Sequence, residues 1–232
     1  MKILLKAVLS LGLIYTIQST LAQNVKDSLD LVYHLDPILY NGKQYTYFVS
    51  SNMMGNQYFM NRDFSKGNVQ INGVIYPDLD LNYDIFNQQL LLKFIKPNGI
   101  TSIVVIPKAS LDIFNIKHNR FEVFKTKNKS EQIYQVIGKD SIQVLYSWKK
   151  RLNLDDASGI STFIFSESEK DTYVHINNQI KKYRNNKSFV SLFDSNKQKK
   201  IKKYIQEKNI NVKKAPDKQM IDLIAICNKD DF

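Results

Sequence analysis

Polar side chains at alternating positions are the clearest candidates for chemistry in this 232-residue sequence. The pattern D-x-D-x-N-x-D matches the opening of an EF-hand calcium loop, in which alternate oxygen ligands surround the ion. The match then fails, because Tyr83 stands where the sharp turn needs glycine and Gln89 where the loop needs a bidentate glutamate. On a strand, alternate residues share one face. We therefore predict a solvated polar face made of Asp78, Asp80, Asn82 and Asp84.

Other residue types that serve catalysis are scattered. His34, His118 and His175 have no second histidine or carboxylate at metal-ligand spacing, and H-E-x-x-H is absent. Cys227 falls on an apolar helical stripe, which is typical of a buried, inert thiol. No nucleophile elbow, dinucleotide-binding loop or Walker loop occurs. We predict no metal and no cofactor, while a hydrolase site assembled from distant residues stays open.

Aromatic side chains are concentrated in two neighbouring segments, which read KQYTYFV at Lys43–Val49 and QYFM at Gln57–Met60. Both segments are predicted to be strands because aromatic and β-branched residues favour them. Aromatic-rich edges can stack on sugars or cover a protein partner, and packing in the core is the alternative. The binding residues predicted on this basis are Tyr45, Tyr47, Tyr58 and Phe59.

The N-terminus has the pattern of a secretory signal peptide. Lys2 and Lys6 precede an apolar stretch at Ala7–Ile17, and Thr20-Leu21-Ala22 places small residues before a cleavage point at Gln23. Cleavage would leave 210 residues without another apolar run long enough to span a membrane. We therefore predict export to the periplasm or the outer surface, without a transmembrane span in the mature chain.

The chain is basic, with a formal net charge of +11 that falls to +9 when the two leader lysines are removed. The lysine run Lys197–Lys203 could form a patch for acidic glycan, lipid headgroups or nucleic acid. Ile201, Tyr204 and Ile205 recur through it at helical spacing, which favours the wet face of an amphipathic helix. Export argues against nucleic acid as a partner, so none is predicted.

The elements are organised around Gly67–Ile95. Asn72-Gly73 between two apolar runs predicts a two-residue type I′ hairpin, and the alternation that follows predicts an antiparallel meander. The apolar run Thr101–Ile106 predicts a central strand buried on both faces. Lys149–Gly159 is predicted to be a long polar loop. The further strands are predicted at Ser110–Ile116, Arg120–Lys125, Gln132–Ile137, Ser141–Trp148, Thr162–Phe165, Thr172–Ile176 and Gln179–Tyr183.

Near Lys187 the apolar period changes from two to that of a helix, which predicts two or three short C-terminal helices. Ser195 and Asp217 are the predicted N-caps, and Asn209 is a stop signal. At the other end of the mature chain, Asp36-Pro37 is predicted to end any short helix before it.

Several segments together resemble an uncharacterised family of exported proteins from bacteroidete-type bacteria. The segments that carry the resemblance are LDPILYNGKQYTYF at Leu35–Phe48, GNQYF at Gly55–Phe59, NGVIYPDLDLNYDIFNQQLLLKF at Asn72–Phe94, IYQVIG at Ile133–Gly138, LYSWKKRLNL at Leu145–Leu154, NNKSFVSLF at Asn185–Phe193 and IKKYIQEKNINVKKAPDKQMIDLI at Ile201–Ile224. The resemblance covers nearly all of the mature chain and implies an envelope or secreted setting in a Gram-negative cell. It implies no established activity, so no catalytic residue is carried over.

These patterns predict an α+β protein whose dominant antiparallel sheet curls into a sandwich or a partly open barrel. The predicted divisions are a signal peptide at 1–22, a β domain at 23–184 and a helical segment at 185–232 docked on it. The favoured function is non-enzymatic binding of an envelope protein or a glycan. A hydrolase and a carrier of an apolar ligand are the alternatives.

Overall fold

A computed structural model describes residues 36–46, 53–126, 129–156 and 161–229 of the chain. The predicted leader at 1–22 and the predicted binding residue Tyr47 lie outside the described residues. The strands of the described part are β1 (Lys43–Gln44), β2 (Met53–Met54), β3 (Ser65–Ile71), β4 (Val74–Asp84), β5 (Gln89–Ile95), β6 (Thr101–Ile106), β7 (Leu111–Ile116), β8 (Asn119–Thr126), β9 (Lys129–Ile137), β10 (Gln143–Lys149), β11 (Leu152–Asp155), β12 (Thr162–Phe165), β13 (Glu169–Ile176) and β14 (Gln179–Tyr183). The helices are α1 (Pro37–Tyr40), α2 (Asn186–Val190), α3 (Ser195–Glu207) and α4 (Asp217–Cys227).

Eleven of these strands form one antiparallel sheet in the order β1-β6-β5-β4-β3-β7-β8-β9-β10-β13-β14. The sheet is not closed on itself, and β1 and β14 are its two edges. A small second sheet has the order β11-β12-β2, in which β12 and β2 run parallel. Strands account for 47% of the chain and the helices are few and short, so the predicted α+β class, mainly antiparallel β, is confirmed.

Short left-handed turns join consecutive strands of the large sheet. Asn72 and Gly73 have φ angles of 48° and 82°, and Asn177 and Asn178 have φ angles of 50° and 57°. Positive φ at both central residues is the requirement of a type I′ turn, whose twist matches that of the strands it joins. The hairpin predicted from Asn-Gly is thus confirmed, with β3 paired to β4. The predicted strands Thr172–Ile176 and Gln179–Tyr183 lie in β13 and β14, which pair around Asn177-Asn178.

One face of the sheet carries a core of aromatic rings in its N-terminal half. Phe114 and Phe121 stack with ring centroids 4.7 Å apart, and Tyr83 meets the edge of Phe121 at 5.3 Å. Leu39 of α1 and the ring of Phe59 pack against the same face. Each such ring pair adds about 0.5–1.5 kcal/mol to the free energy gained by burying apolar area, so this cluster helps to hold these strands and the segments over them together.

Helices cover the same face in its C-terminal half. Phe189 of α2, Ile201 of α3 and Leu223 of α4 pack with Val144 and Tyr146 of β10. The half-buried Trp148 contacts both this core and the aromatic core, so the two halves of the sheet share one continuous interior.

Helix α3 is amphipathic, as predicted, because Ile201 and Ile205 are buried while four lysines of the run are exposed. The fifth, Lys197, is half-buried and donates to the Cys227 carbonyl at 3.1 Å. It ends at the predicted stop. Asn209 has φ 48°, and the Ile210 N–H donates to the Ile205 carbonyl at 2.9 Å, which is the Schellman bond. In the described part of the chain, no helix combines the length and apolar character needed to cross a membrane.

Both predicted N-caps are wrong by one position. Asp194 and Pro216 occupy the cap positions of α3 and α4, and neither makes a side-chain capping bond. Asp36 begins a helix, since its side chain accepts a hydrogen bond from the Ile38 N–H at the start of α1. Proline at the first helical position suits that start, because the missing N–H would have had no partner in the helix. The segment that was predicted to end at Asp36-Pro37 lies outside the described residues.

Three strand predictions are corrected. Part of the predicted loop Lys149–Gly159 is strand β11, because Leu152 and Leu154 pair across from Phe165 and Phe163. The predicted strand Gln57–Met60 is reduced to a single bridge, which joins Tyr58 to Asp84. The predicted central strand β6 lies one place from the edge, covered only by the two residues of β1, and it alternates between buried and more exposed residues.

Candidate functional site

The predicted polar face of β4 divides into a wet half and a buried half. The side chains of Asp78 and Asp80 are 79% and 38% exposed, and their carboxylates lie 3.8 Å and 3.4 Å from the Lys66 ammonium. Asn82 is 5% exposed and Asp84 is 0% exposed, so the predicted solvated face is wrong for these two residues. The chain at 57–63 lies over this end of the strand and removes it from water, which alternation along one strand cannot reveal. Asn82 donates to the carbonyls of Asn61 and Asp63 in that cover.

Asp84 is the acceptor of a compact hydrogen-bond cluster. Its Oδ1 accepts from the backbone N–H groups of Phe86 at 3.0 Å and Asn87 at 2.8 Å. Its Oδ2 accepts from the Tyr45 hydroxyl at 2.7 Å and from the Asn87 amide at 2.8 Å. Gln57 Nε2 in turn donates to the Tyr45 hydroxyl at 3.1 Å. A buried carboxylate with four donors is fully satisfied, so the carboxylate has a structural use already.

The structure therefore gathers two of the predicted binding residues around one carboxylate. Burial raises the pKa of Tyr45 and, with a smaller contribution from the Asp84 charge, that of Tyr58. Both phenols stay protonated at neutral pH and act as hydrogen-bond partners. The ring of Phe59 packs edge-on against Phe121 at 5.2 Å and Trp148 at 5.1 Å. Binding by these residues stays a prediction.

His34 lies outside the described residues, and the two described histidines do not assemble a catalytic group. His118 is exposed in the turn between β7 and β8, and His175 lies against the ring of Phe124. His175 shares an open cleft of about 530 Å³ with Asp140 and Ser141, but the Ser141 hydroxyl donates to Asn228 Oδ1 at 3.1 Å. A nucleophile is activated by a hydrogen bond to its base, and the hydrogen bonds of the described residues include none from Ser141 to His175.

Two further sequence predictions concern metal and thiol chemistry. Among residues 36–46, 53–126, 129–156 and 161–229, no three His, Cys, Asp or Glu side chains are grouped so that they could hold a metal ion. Cys227 is 1% exposed in the helix-covered core, and burial raises the pKa of its thiol to about 12. The thiolate is the reactive form, so this cysteine is inert in the folded protein, in agreement with its position on the apolar stripe.

A basic cleft of about 500 Å³ lies where strands β10, β13 and β14 end. The turn at 211–214, which precedes α4, forms its other wall. The residues that line the basic cleft are Lys149, Glu169, Lys170, Asp171, Thr172, Lys182, Tyr183, Arg184, Lys213 and Lys214. Six of these ten carry positive charge and two carry negative charge.

Both acidic residues of the basic cleft are already paired. Asp171 accepts from Lys149 at 2.7 Å and from Lys182 at 2.9 Å, and these hydrogen bonds lower the pKa of its carboxyl. Glu169 pairs with Arg151 just outside the cleft. The ion pairs among described residues leave four cations of the cleft without an acidic partner. These four are Lys170, Arg184, Lys213 and Lys214.

Lys170 reaches into the cleft from the helix-covered face of the sheet. Its ammonium lies 3.6 Å from the centroid of the Tyr146 ring and 5.5 Å from that of Trp148. Burial lowers the pKa of Lys170, while the nearby charge of Asp217 raises it. The two rings offer their negative faces to the ammonium, which holds a partly desolvated positive charge at the floor of the cleft.

A hydrogen-bond chain fixes the floor of the basic cleft to α4. Gln135 Oε1 accepts from Trp148 Nε1 at 2.7 Å, and Gln135 Nε2 donates to Asp217 Oδ2 at 2.8 Å. Asp217 is the first residue of α4, where a negative charge is favoured by the helix dipole. The position of the 213–214 wall therefore depends on contacts made deep in the sheet.

Sequence reasoning missed this cleft because its cations are spread from residue 149 to residue 214. The pairing of the predicted strands Thr172–Ile176 and Gln179–Tyr183 places Thr172 beside Tyr183. The pairing of β10 with β13, which places Lys149 beside Glu169, was not predicted. The cleft can bind an anion by charge, and its lining has no group placed as a nucleophile beside a base.

A comparison with models of known protein families, with curated proteins and with solved structures finds no match to this chain.

Proposed function

We propose that this protein is a non-enzymatic binding protein that holds an anionic ligand in the basic cleft. The observation that carries the proposal is the charge balance of the cleft, where four cations form no ion pair within the described part of the chain and both acids are already paired. At physiological ionic strength exposed charges act over about 8 Å, so cations that line one cleft attract a ligand together. The volume of about 500 Å³ falls within the range of ligand sites.

The setting we propose is the cell envelope, either the periplasm or the outer surface. The support for this setting is the basic and apolar pattern of residues 1–22 and the resemblance to exported proteins. N-terminal sequencing of the protein recovered from cell fractions tests it. A mature chain that begins at Gln23 in the periplasmic or surface fraction is expected, whereas an uncleaved chain in the cytoplasm would overturn it.

A charge-reversal pair tests the binding site. Lys213 and Lys214 are exposed in the wall of the cleft, while Lys199 and Lys202 are equally exposed on α3. Lys213→Glu/Lys214→Glu and Lys199→Glu/Lys202→Glu change the net charge by the same amount. We expect the first variant to weaken binding of polygalacturonate at least tenfold by isothermal titration calorimetry, and the second to change it less than twofold.

Equal losses in the two variants would mean that binding follows overall charge, and the proposed site would be wrong. If the unsubstituted protein bound neither polygalacturonate nor inorganic phosphate at low salt, the proposed function itself would be refuted. Circular dichroism of both variants checks that each remains folded.

A further inference from the structure

We infer that the ligand of the basic cleft is a linear acidic polysaccharide that contacts several cations at once. This inference rests on the proposed function, since it names the chemical class of the ligand for the same cleft. The first observation is the spread of the charges. Lys149 ends β10, Lys170 lies on β13 and Lys182 lies on β14, and these three strands are neighbours in the sheet.

Adjacent strands lie about 4.8 Å apart, so the backbones of β10 and β14 are about 10 Å apart, and Asp171 on the strand between them already bridges Lys149 and Lys182. Arg184 follows β14, and Lys213 and Lys214 extend the positive surface to the turn beyond it. A single phosphate or sulfate group would neutralise part of this surface and leave the other cations of the cleft without an anion. An extended chain that carries one acidic group on each repeat can contact them in succession.

The kind of cation points the same way. Five of the six positive residues in the cleft are lysines and one is an arginine. A guanidinium binds one oriented anion through two parallel hydrogen bonds, whereas an ammonium is a point charge on a flexible stem. A cleft dominated by lysine tolerates acidic groups at variable positions, which suits a polymer whose sugar units can shift along it.

The rings near the basic cleft argue against single-stranded nucleic acid as the ligand. Grooves for single strands combine cations with exposed aromatic side chains on which the bases stack. Tyr146 is 0% exposed and Tyr183 is 1% exposed, and the half-buried Trp148 lies beneath the ammonium of Lys170. The hydroxyls of Thr172 and Tyr183 are buried and donate to backbone carbonyls, so the described lining offers positive charge without an open ring. A carboxylated chain can be held by that charge alone.

A titration with matched probes tests the inference. Polygalacturonate, monomeric galacturonic acid, inorganic phosphate and a single-stranded oligothymidylate are each titrated into the full protein by isothermal calorimetry. We expect the polymer to bind at least a hundredfold more tightly than the monomer or phosphate, and more tightly than the oligonucleotide. Its affinity should fall steeply as salt rises, because each contact releases condensed counterions. Lys170→Met, which keeps the side-chain stem, should weaken polymer binding about tenfold.

Each of the other outcomes overturns the inference in a recognisable way. Phosphate or the monomer binding as tightly as the polymer would leave the anion site in place but make it a site for one small anion. Tighter binding of the oligonucleotide would make nucleic acid the favoured polymer. An unchanged affinity in Lys170→Met, with the fold intact by circular dichroism, would show that the floor of the cleft does not contact the ligand.

Discussion

Replacement of Asp84 tests whether the buried hydrogen-bond cluster stabilises the fold. In Asp84→Ala, three part-buried donors lose the carboxylate as their acceptor. They are the N–H groups of Phe86 and Asn87 and the hydroxyl of Tyr45. The Asn87 amide can turn to water, so it is not counted. A fully buried donor left without a partner costs about 1–3 kcal/mol. Phe86 and Asn87 lie at the surface, so water relieves part of that cost, and we expect the free energy of unfolding to fall by about 2–3 kcal/mol.

Asp84→Asn removes the charge of the side chain and keeps its size and shape. The amide oxygen can still accept from the two backbone N–H groups, but the new NH₂ group faces the Tyr45 hydroxyl, which already accepts from Gln57. We expect an intermediate loss of about 1–2 kcal/mol. Asp80→Asn is the matched control, because it removes the same charge from the same face of β4. The Asp80 side chain is 38% exposed and pairs with Lys66 at 3.4 Å, so its replacement should cost less than about 0.5 kcal/mol.

The measurement is urea unfolding followed by circular dichroism and by the fluorescence of Trp148, the only tryptophan. Coincident transitions from the two probes would support a two-state analysis. A loss in Asp84→Ala within about 1 kcal/mol of that in Asp80→Asn would refute the reasoning, because the four hydrogen bonds would then contribute no more than a surface ion pair.

Three further predictions concern close packing, burial and pH. A Cβ on Gly67 would lie 2.1 Å from the Asn115 carbonyl oxygen, so Gly67→Ala should destabilise the fold by about 3 kcal/mol in urea unfolding; Ser65→Ala on the same strand is the control, and an equal effect in both would contradict the prediction. Because the Cys227 thiol has a pKa of about 12, iodoacetamide at pH 8 should label it roughly a thousandfold more slowly in the native protein than in urea; similar rates in the two states would show that the thiol is accessible. The pKa of Asp171 is lowered by Lys149 and Lys182, so its contribution to stability is present above the unfolded pKa of about 3.9 and is lost as pH falls through the folded pKa. Asp171→Asn should therefore destabilise the protein at pH 7 and progressively less below pH 4 in urea unfolding, with Asp222→Asn as control, and a pH-independent difference would be inconsistent with this linkage.

The sequence predicted the parts of the fold that depend on local chemistry. Asn72-Gly73 and Asn177-Asn178 form the expected turns, because few residue pairs tolerate positive φ at both positions. The helical spacing of Ile201 and Ile205 predicted helix α3, because a helix that packs on a core through one face needs apolar residues only along that face. These features can be read within a window of a few residues.

The sequence could not predict features that depend on what lies over a strand. Alternation along β4 places Leu81 and Asp84 on opposite faces of the strand. Leu81 is buried in the core, and Asp84 is also buried because the chain at 57–63 covers the polar face. Strand β11 was hidden for a related reason, since its two leucines become a strand only when Phe163 and Phe165 pair with them. The basic cleft is the extreme case, because its cations come from three strands, the residue after β14 and a turn, and they span residues 149 to 214 of the sequence.

The geometry of the basic cleft also links ligand binding to the docking of the C-terminal helices. One wall belongs to the ends of β10, β13 and β14, and the other wall is the 213–214 turn, which is held in place through the Gln135–Asp217 hydrogen bond. At the far end of α4, Asn228 accepts from the Ile142 N–H and donates to its carbonyl, which fixes the helix to the sheet a second time. A ligand that contacts both walls binds only the docked form, so it stabilises that form by RT ln(1 + [L]/Kd), about 2.7 kcal/mol at a hundredfold excess over Kd. The reverse also holds, because any substitution that loosens α4 separates the walls and lowers the affinity for the ligand even when every cation of the cleft is retained.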